Sequence, residues 1–293
     1  MPEPRDCFVD LRGLRFHYRD WGGEGRPLVL LHGLASTAHI WDLVAPALVP
    51  AYRVVALDQR GHGESAKPET GYEYATIGDD LAAILAALAL ARPVLVGHSW
   101  GGHVALSFAA RWAQAPEHPA APAGLVLVDG GFMDLQARFT WEQAERELAP
   151  PDLSGYTPAA LVARLQRGDL GRCWSPAVER IVLANFMLAP DGTIRPRLSR
   201  ANHLQILRAL WELRPQALYP AVGCPVLLAP AVRDDDPRGP AFTAARRAAV
   251  AAAAAALPAA EIVWFTDTIH DIPLQRPHEL ASAIARFAAG LPA

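Results

Sequence analysis

The sequence predicts an α/β fold, a mostly parallel sheet with helices wound on both faces, and three observations carry that prediction. From Leu28 onward, short apolar runs suited to strands buried on both faces alternate with stretches of helical spacing. A single serine stands among glycines where one such run gives way to a helix. Residues 132–220 then break the alternation with helical spacing alone, after which the strand pattern resumes.

Taken in order, Phe8 to Leu11 and Leu14 to Tyr18 flank Arg12-Gly13, the pattern of an antiparallel hairpin opening the sheet. Leu28 to Leu31 read as a buried strand ending in His32-Gly33-Leu34-Ala35-Ser36-Thr37, with helical spacing around Trp41, Leu43, Val44 and Leu48 behind it. Val54 to Leu57 make the next strand, which ends in Asp58-Gln59-Arg60-Gly61-His62-Gly63-Glu64-Ser65. A helix is expected over Ile77 to Leu90, strands over Val94 to Val96 and Leu125 to Val128, and the latter runs out into Asp129-Gly130-Gly131.

Within 132–220, Thr140 to Leu148, Thr157 to Gly168, Ser175 to Leu188 and Ser199 to Leu213 have helical spacing, punctuated by prolines such as Pro150, Pro176 and Pro215. We expect a helical insertion acting as a lid, which divides the core domain into 1–131 and 221–293. Strands resume at Val226 to Ala229 and Ile262 to Phe265. Between them the alanine-dominated helix from Phe242 to Leu257 is assigned no chemistry, and a helix from Pro277 to Ala289 closes the domain.

Composition excludes several function classes. Hydrophobic residues at 52% and charged ones at 19% describe a globular chain long enough for one large domain carrying an insertion. A net charge of −3 gives no reason to expect nucleic acid or a membrane surface as partner, so a small-molecule substrate is expected and a homodimer stays open. Cys7, Cys173 and Cys224 are far apart and form no Cys-x-x-Cys pair, which suits reduced, structural thiols. Met1 to Asp10 lack a charged and apolar leader and no window is long enough to cross a bilayer, so a cytoplasmic location is expected.

The chemistry centres on Gly97-His98-Ser99-Trp100-Gly101, which fits the Gly-x-Ser-x-Gly elbow between strand and helix. The glycines leave room for a strained turn that lifts the hydroxyl clear, and the helix behind it aims unpaired N–H groups at the same spot. A serine hydroxyl needs a base and a group to hold that base. His270, in Asp267-Thr268-Ile269-His270-Asp271 just beyond the last strand, is the best base, because loops at the carboxyl ends of parallel strands converge on one sheet edge.

These motifs together make the chain resemble the α/β-hydrolase superfamily, in its serine-nucleophile form with a helical cap, and the resemblance covers nearly the whole sequence. It implies the α/β-hydrolase fold, Ser99 as nucleophile and His270 as base, with the backbone N–H groups of Leu34 and Trp100 forming the oxyanion hole. It also implies that Asp58 to Ser65 is the Asp-x-x-Gly-x-Gly-x-Ser turn found in relatives, for which scaffolding is expected of Asp58, Arg60 and His62. His98 and His103 are expected to support or pack around the elbow. Relatives that open epoxides or dehalogenate use an aspartate as nucleophile, so Ser99 argues against both activities.

For the acid, the resemblance offers two positions. After the strand that follows the cap stand Asp234, Asp235 and Asp236, in a loop lacking the glycine commonly found before the acid; before the cap stands Asp129. Asp234 is placed slightly ahead of Asp129, with Asp235 behind both. Gly33, Trp141, Trp174 and Phe186 are expected to line the substrate pocket, with Phe139, Met187 and Trp211 as further candidates. His32, Asp58, His62 and His270 lack the spacing of a metal-ligand set, so neither metal nor cofactor is expected. The expected activity is hydrolysis of a small or medium carboxylic ester with an apolar acyl or aromatic part through an acyl-enzyme. C–C bond hydrolase, aminopeptidase, lactonase or perhydrolase chemistry, or a ligand-binding role, are the alternatives.

Overall fold

The computed structural model describes residues 2–292. Twelve strands and ten α-helices follow one another as β1 (Arg5–Leu11), β2 (Leu14–Gly22), β3 (Pro27–Leu31), β4 (Arg53–Leu57), α1 (Tyr74–Ala87), β5 (Val94–His98), α2 (Trp100–Arg111) and β6 (Gly124–Val128). Residues 132–220 supply α3 (Trp141–Leu148), α4 (Pro158–Gln166), α5 (Pro176–Leu183), β7 (Phe186–Leu188), β8 (Ile194–Pro196), α6 (Arg200–Glu212) and α7 (Pro215–Leu218). The core resumes with β9 (Val226–Ala229), β10 (Ala231–Val232), α8 (Pro240–Ala256), β11 (Ala260–Ile262), β12 (Phe265–Thr266), α9 (Ile272–Gln275) and α10 (Pro277–Ala289).

Eight strands form the central sheet in the order β1-β2-β4-β3-β5-β6-β9-β11. The opening hairpin and its contact with β4 are antiparallel, and every later pairing is parallel. Alternate side chains of each central strand feed opposite cores, as the two-residue period requires. Val29, Leu31, Leu95 and Leu127 meet α1, α2 and α8 on one face. Leu28, Leu30, Val96 and Val128 meet α10, α5 and the turn around Trp41 on the other.

Most elements lie where hydrophobic spacing puts them. The serines and threonines that begin the predicted cap helices prove to be their N-caps: Thr140, Thr157, Ser175 and Ser199 each accept an N–H from the first turn. Three local expectations need correction. The segment around Trp41 forms two 3-10 turns, Ala38–Trp41 and Ala45–Ala47, rather than an α-helix, because Pro46 interrupts it. Ser175 to Leu188 is helical only as far as Leu183; its end joins the short antiparallel β7–β8 hairpin, where Leu188 lies exposed. Ile262 to Phe265 is not one strand, because β11 ends at Ile262 while β12 pairs with β10 in a separate two-stranded sheet.

No helix among the described residues is long and apolar enough to cross a membrane.

Candidate active site

The parallel register brings the carboxyl ends of three strands into line. His98 of β5 lies beside Val128 of β6, which lies beside Ala229 of β9. Ser99 and Asp129 therefore emerge next to each other: the Ser99 N–H donates to Val128 O at 2.8 Å and the Asp129 N–H to Ala229 O at 3.0 Å.

Ser99 has φ 54° and ψ −118°, a conformation that costs a non-glycine residue on the order of 1–3 kcal/mol. Its surroundings enforce it. A Cβ on Gly97 would strike the Gly101 backbone, and one on Gly130 would strike the Ser99 carbonyl. Gly97 and Gly101 are legible as elbow glycines; Gly130 serves the same turn from the next strand and carries no motif of its own.

Asp129 is the carboxylate that meets His270. Its Oδ2 accepts from His270 Nδ1 at 2.5 Å, while Oδ1 accepts from the Ala231 N–H at 2.8 Å and from the guanidinium of Arg246. Asp129 is buried, which alone would raise its pKa, yet the charge of Arg246 and the bond from His270 bring it down to about 2. His270 shows the converse balance. Burial works to lower its pKa, but the hydrogen bond and charge of Asp129 prevail and raise it. With Nδ1 committed to the carboxylate, Nε2 is the nitrogen left to handle a proton. His98 steadies the same loop by donating Nε2–H to the His270 carbonyl at 3.0 Å, and its own pKa falls to about 4 through burial and the nearby His270 charge.

The preference for Asp234 is therefore corrected. Asp234 lies exposed after β10, and Asp235, also exposed, pairs with Arg172 of the cap at 2.6 Å. Asp236 is taken by Arg238 at 2.7 Å. The physical reason is register: Asp129 leaves the strand next to the one bearing Ser99, whereas β10 turns aside to pair with β12.

The loop after β3 is set by two buried histidines. His32 Nδ1–H donates to the Gly33 carbonyl at 2.8 Å, and its Nε2 accepts the Gln59 N–H at 3.1 Å. Turning the Gly33 carbonyl toward His32 turns the N–H of Leu34, across the same trans peptide, the other way. His62 Nε2 accepts the Ala35 N–H at 3.2 Å while Nδ1–H donates to Arg60 O at 3.0 Å. Burial lowers the pKa of both rings, which suits neutral imidazoles. The Gly33 backbone lies close against the serine, with Ser99 Cβ 3.1 Å from where a Cβ on Gly33 would sit. Trp100 opens α2, so its N–H is among the donors with no partner within the helix. Asp58 holds the following turn by accepting from His17 Nδ1 at 2.7 Å, Ala38 N–H at 2.7 Å and Glu64 N–H at 2.9 Å. His103 sits below the elbow, its Nε2–H donating to Met133 O at 3.2 Å.

A cavity of about 500 Å³ contains Ser99, Trp100, Asp129 and His270 on its walls. Phe139 lines it, but Trp141, Trp174, Phe186 and Gly33 do not. Trp141 stacks edge-on against Trp211 at 6.0 Å between α3 and α6, Trp174 packs on the core, and Phe186 belongs to the β7–β8 hairpin. In their place stand Met133, Leu210 and Phe242, and four arginines: Arg138, Arg233, Arg238 and Arg246. Sequence reasoning passed over α8 as an alanine helix, yet Phe242, Arg246, Val250 and Ala253 form its buried face. That spacing of large residues among alanines was the available signal.

Among the described residues no His, Cys, Asp and Glu side chains converge as a metal-binding group.

Residues 28–283 match the model of the alpha/beta hydrolase family. The chain belongs to that family. The chain is 41% identical over 99 residues to the soluble epoxide hydrolase of Corynebacterium sp. (strain C12), a match covering 34% of each chain. It is 36% identical over 104 residues to the 2-(acetamidomethylene)succinate hydrolase of Mesorhizobium japonicum, covering 36% of this chain and 37% of that one. These matches span about a third of the relatives' length. Over nearly the full length, the chain superimposes on the crystal structure of E-2-(acetamidomethylene)succinate hydrolase with a TM-score of 0.79 and 25% identity, covering 98% of this chain and 100% of the other.

Proposed function

We propose that this hydrolase acts through an acyl-enzyme on Ser99, with His270 as general base and acid and Asp129 as the group that orients and stabilises the imidazolium. The observation that carries the reading is the Asp129–His270 bond beside a strained Ser99 on one cavity wall. His270 Nε2 takes the serine proton as Oγ attacks a carbonyl. The oxyanion that forms is held by the N–H groups of Leu34 and Trp100, a pair of donors of which each is worth about 10² to 10³ in rate. His270 then returns the proton to the leaving group, and water releases the acyl product by the same route.

A carboxylic ester of small or medium size is the substrate class this arrangement favours, because the cavity is bordered by residues of the stretch 132–220 and offers one serine with its base. The epoxide hydrolase relative does not carry its reaction over: Ser99 occupies the elbow, and a serine ether formed by ring opening would resist hydrolysis, whereas an acyl ester does not. The cap, residues 132–220, acts as the lid over this cavity.

The test is stopped-flow release of p-nitrophenol from p-nitrophenyl acetate and butyrate, with Ser99→Ala alongside. A burst equal to the enzyme concentration, lost in the variant, is the expected result. Unchanged turnover in Ser99→Ala would overturn the assignment of the nucleophile, and a fluorophosphonate that fails to label the folded protein would overturn the catalytic reading.

A further inference from the structure

The four arginines on the cavity wall are not equivalent. Arg246 is bound to Asp129 and the Ala231 carbonyl. Arg233, buried, pairs with both oxygens of Asp169 at 2.8 and 2.9 Å, and Arg238 forks onto Asp236 at 2.8 and 2.7 Å. The cavity's remaining acid, Glu147, is met by Arg146 at 3.6 Å. Arg138 is different: among the described residues it has no ion-pair partner, although it lies on the wall of the cavity that holds Ser99.

Arg138 is exposed, and aromatic rings rather than an ion pair accompany its guanidinium. The Arg138 guanidinium lies 4.6 Å from the centroid of Phe242, and that of Arg238 lies 3.7 Å from the same ring. Arg246, one helical turn beyond Phe242, brings a third guanidinium within 5.9 Å. Stacking occupies the face of a guanidinium but leaves its in-plane N–H donors free, the geometry in which arginine receives a carboxylate. Like charges gathered round one ring repel, and burial together with Arg238 and Arg246 lowers the pKa of Arg138, with the charge of Glu147 opposing them only in part. An anion arriving there relieves that repulsion, whereas an apolar group leaves it in place.

We propose that Arg138, with Arg238 beside it on Phe242, forms a carboxylate-binding subsite in the cavity, so that the substrate is an anionic acyl compound whose free carboxylate is held apart from the scissile carbonyl. The substrate class rests on the hydrolase reading; the subsite itself does not. It also adds a charged group to the expected ester with an apolar acyl or aromatic part, since Phe242 serves as a platform for cations. Hydrolysis at Ser99 would then consume water and yield a carboxylic acid and a leaving group, one of which keeps the recognised carboxylate.

Two measurements on wild type, Arg138→Gln and Arg138→Lys test this. Calorimetric titration with glutarate, and with neutral glutaramide as control, reads the subsite without catalysis. Hydrolysis of 4-acetoxybenzoate against its methyl ester, both giving acetate and a phenol, reads its use. Glutarate is expected to bind and glutaramide not. The ratio of kcat/KM for the charged over the neutral ester should fall about tenfold or more in Arg138→Gln, the size of a charge-assisted hydrogen bond, and fall less in Arg138→Lys. Equal glutarate affinity in wild type and Arg138→Gln would overturn the subsite. Turnover of both esters alike, with no glutarate bound, would overturn it while leaving the hydrolase reading intact. Glutarate binding that depends on Arg138, with neither ester hydrolysed, would uphold the subsite and count against ester hydrolysis.

Discussion

Arg246 and His270 hold opposite oxygens of one carboxylate, that of Asp129. The acid is thus clamped from both sides, and the two clamps pull its electrons in different directions. Arg246 lowers the basicity of the group that steadies His270, and its charge also opposes protonation of the imidazole itself. Arg246 is accordingly a positioning residue with an electrostatic effect on the base.

Replacing Arg246 by Gln should move the acid limb of the kcat/KM profile to higher pH, because His270 must lose its proton to serve as base and would now hold it more tightly. Arg246→Lys, which keeps the charge, should restore the limb. A purely structural role would lower activity at every pH without displacing the limb, and that outcome would refute the electrostatic reading.

Asp129→Asn should lower kcat by about four powers of ten, the usual cost of losing the orienting carboxylate. The residual activity should have its acid limb at lower pH, since Asp129 is what raises His270. Asp234→Asn, at an exposed position, should change kcat by no more than about twofold. Steady-state kinetics on the pair of variants decide between the two positions.

Stability should fall in acid through Asp129. Its pKa is lowered in the folded chain, from 3.8 to about 2, so the stabilisation is complete above the higher value and lost as pH falls through the lower one. The loss for this group is on the order of 2 kcal/mol. Denaturant melts between pH 5 and 2 should show a steeper decline for wild type than for Asp129→Asn; parallel declines would show that other carboxylates account for it.

Trp141→Ala should lower the melting temperature by a few degrees, through loss of the Trp141–Trp211 pair, with little change in KM. Phe139→Ala, which alters the cavity wall, should raise KM instead. A large KM effect of Trp141→Ala would place that ring in the substrate's path after all.

How much of this was legible in the sequence varies with the range of the interaction. Strands buried on both faces announce themselves locally, as Val94 to Val96 and Leu125 to Val128 do, and helix starts are marked by their capping hydroxyls at Thr140 and Ser199. The convergence of Ser99 and His270 on one cavity wall was readable because motif and strand order both point there. The carboxylate on His270 was not, because the rivals differ by a register between β6, β9 and β10 that no local pattern encodes. Aromatic content misled in the cap: Trp141 and Trp174 are large enough to line a cavity, yet their indoles pack within the protein. The arginines were overlooked for the opposite reason, since an isolated charge reads as surface until folding sets four of them round one hollow.

The placement of Asp129 before the cap has an evolutionary corollary. In a chain where the turn after β9 and β10 supplies the acid, that turn is frozen by catalysis. With Asp129 as the proposed acid, the segment from Arg233 to Gly239 is released from that duty, yet it still borders the cavity and touches Asp169 and Arg172 of the stretch 132–220. It can drift, lengthen or exchange its charges while Ser99, His270 and Asp129 stay as they are. Divergence among descendants of this chain should therefore concentrate in that turn, and it is the segment to randomise when a new specificity is wanted from the same proposed frame.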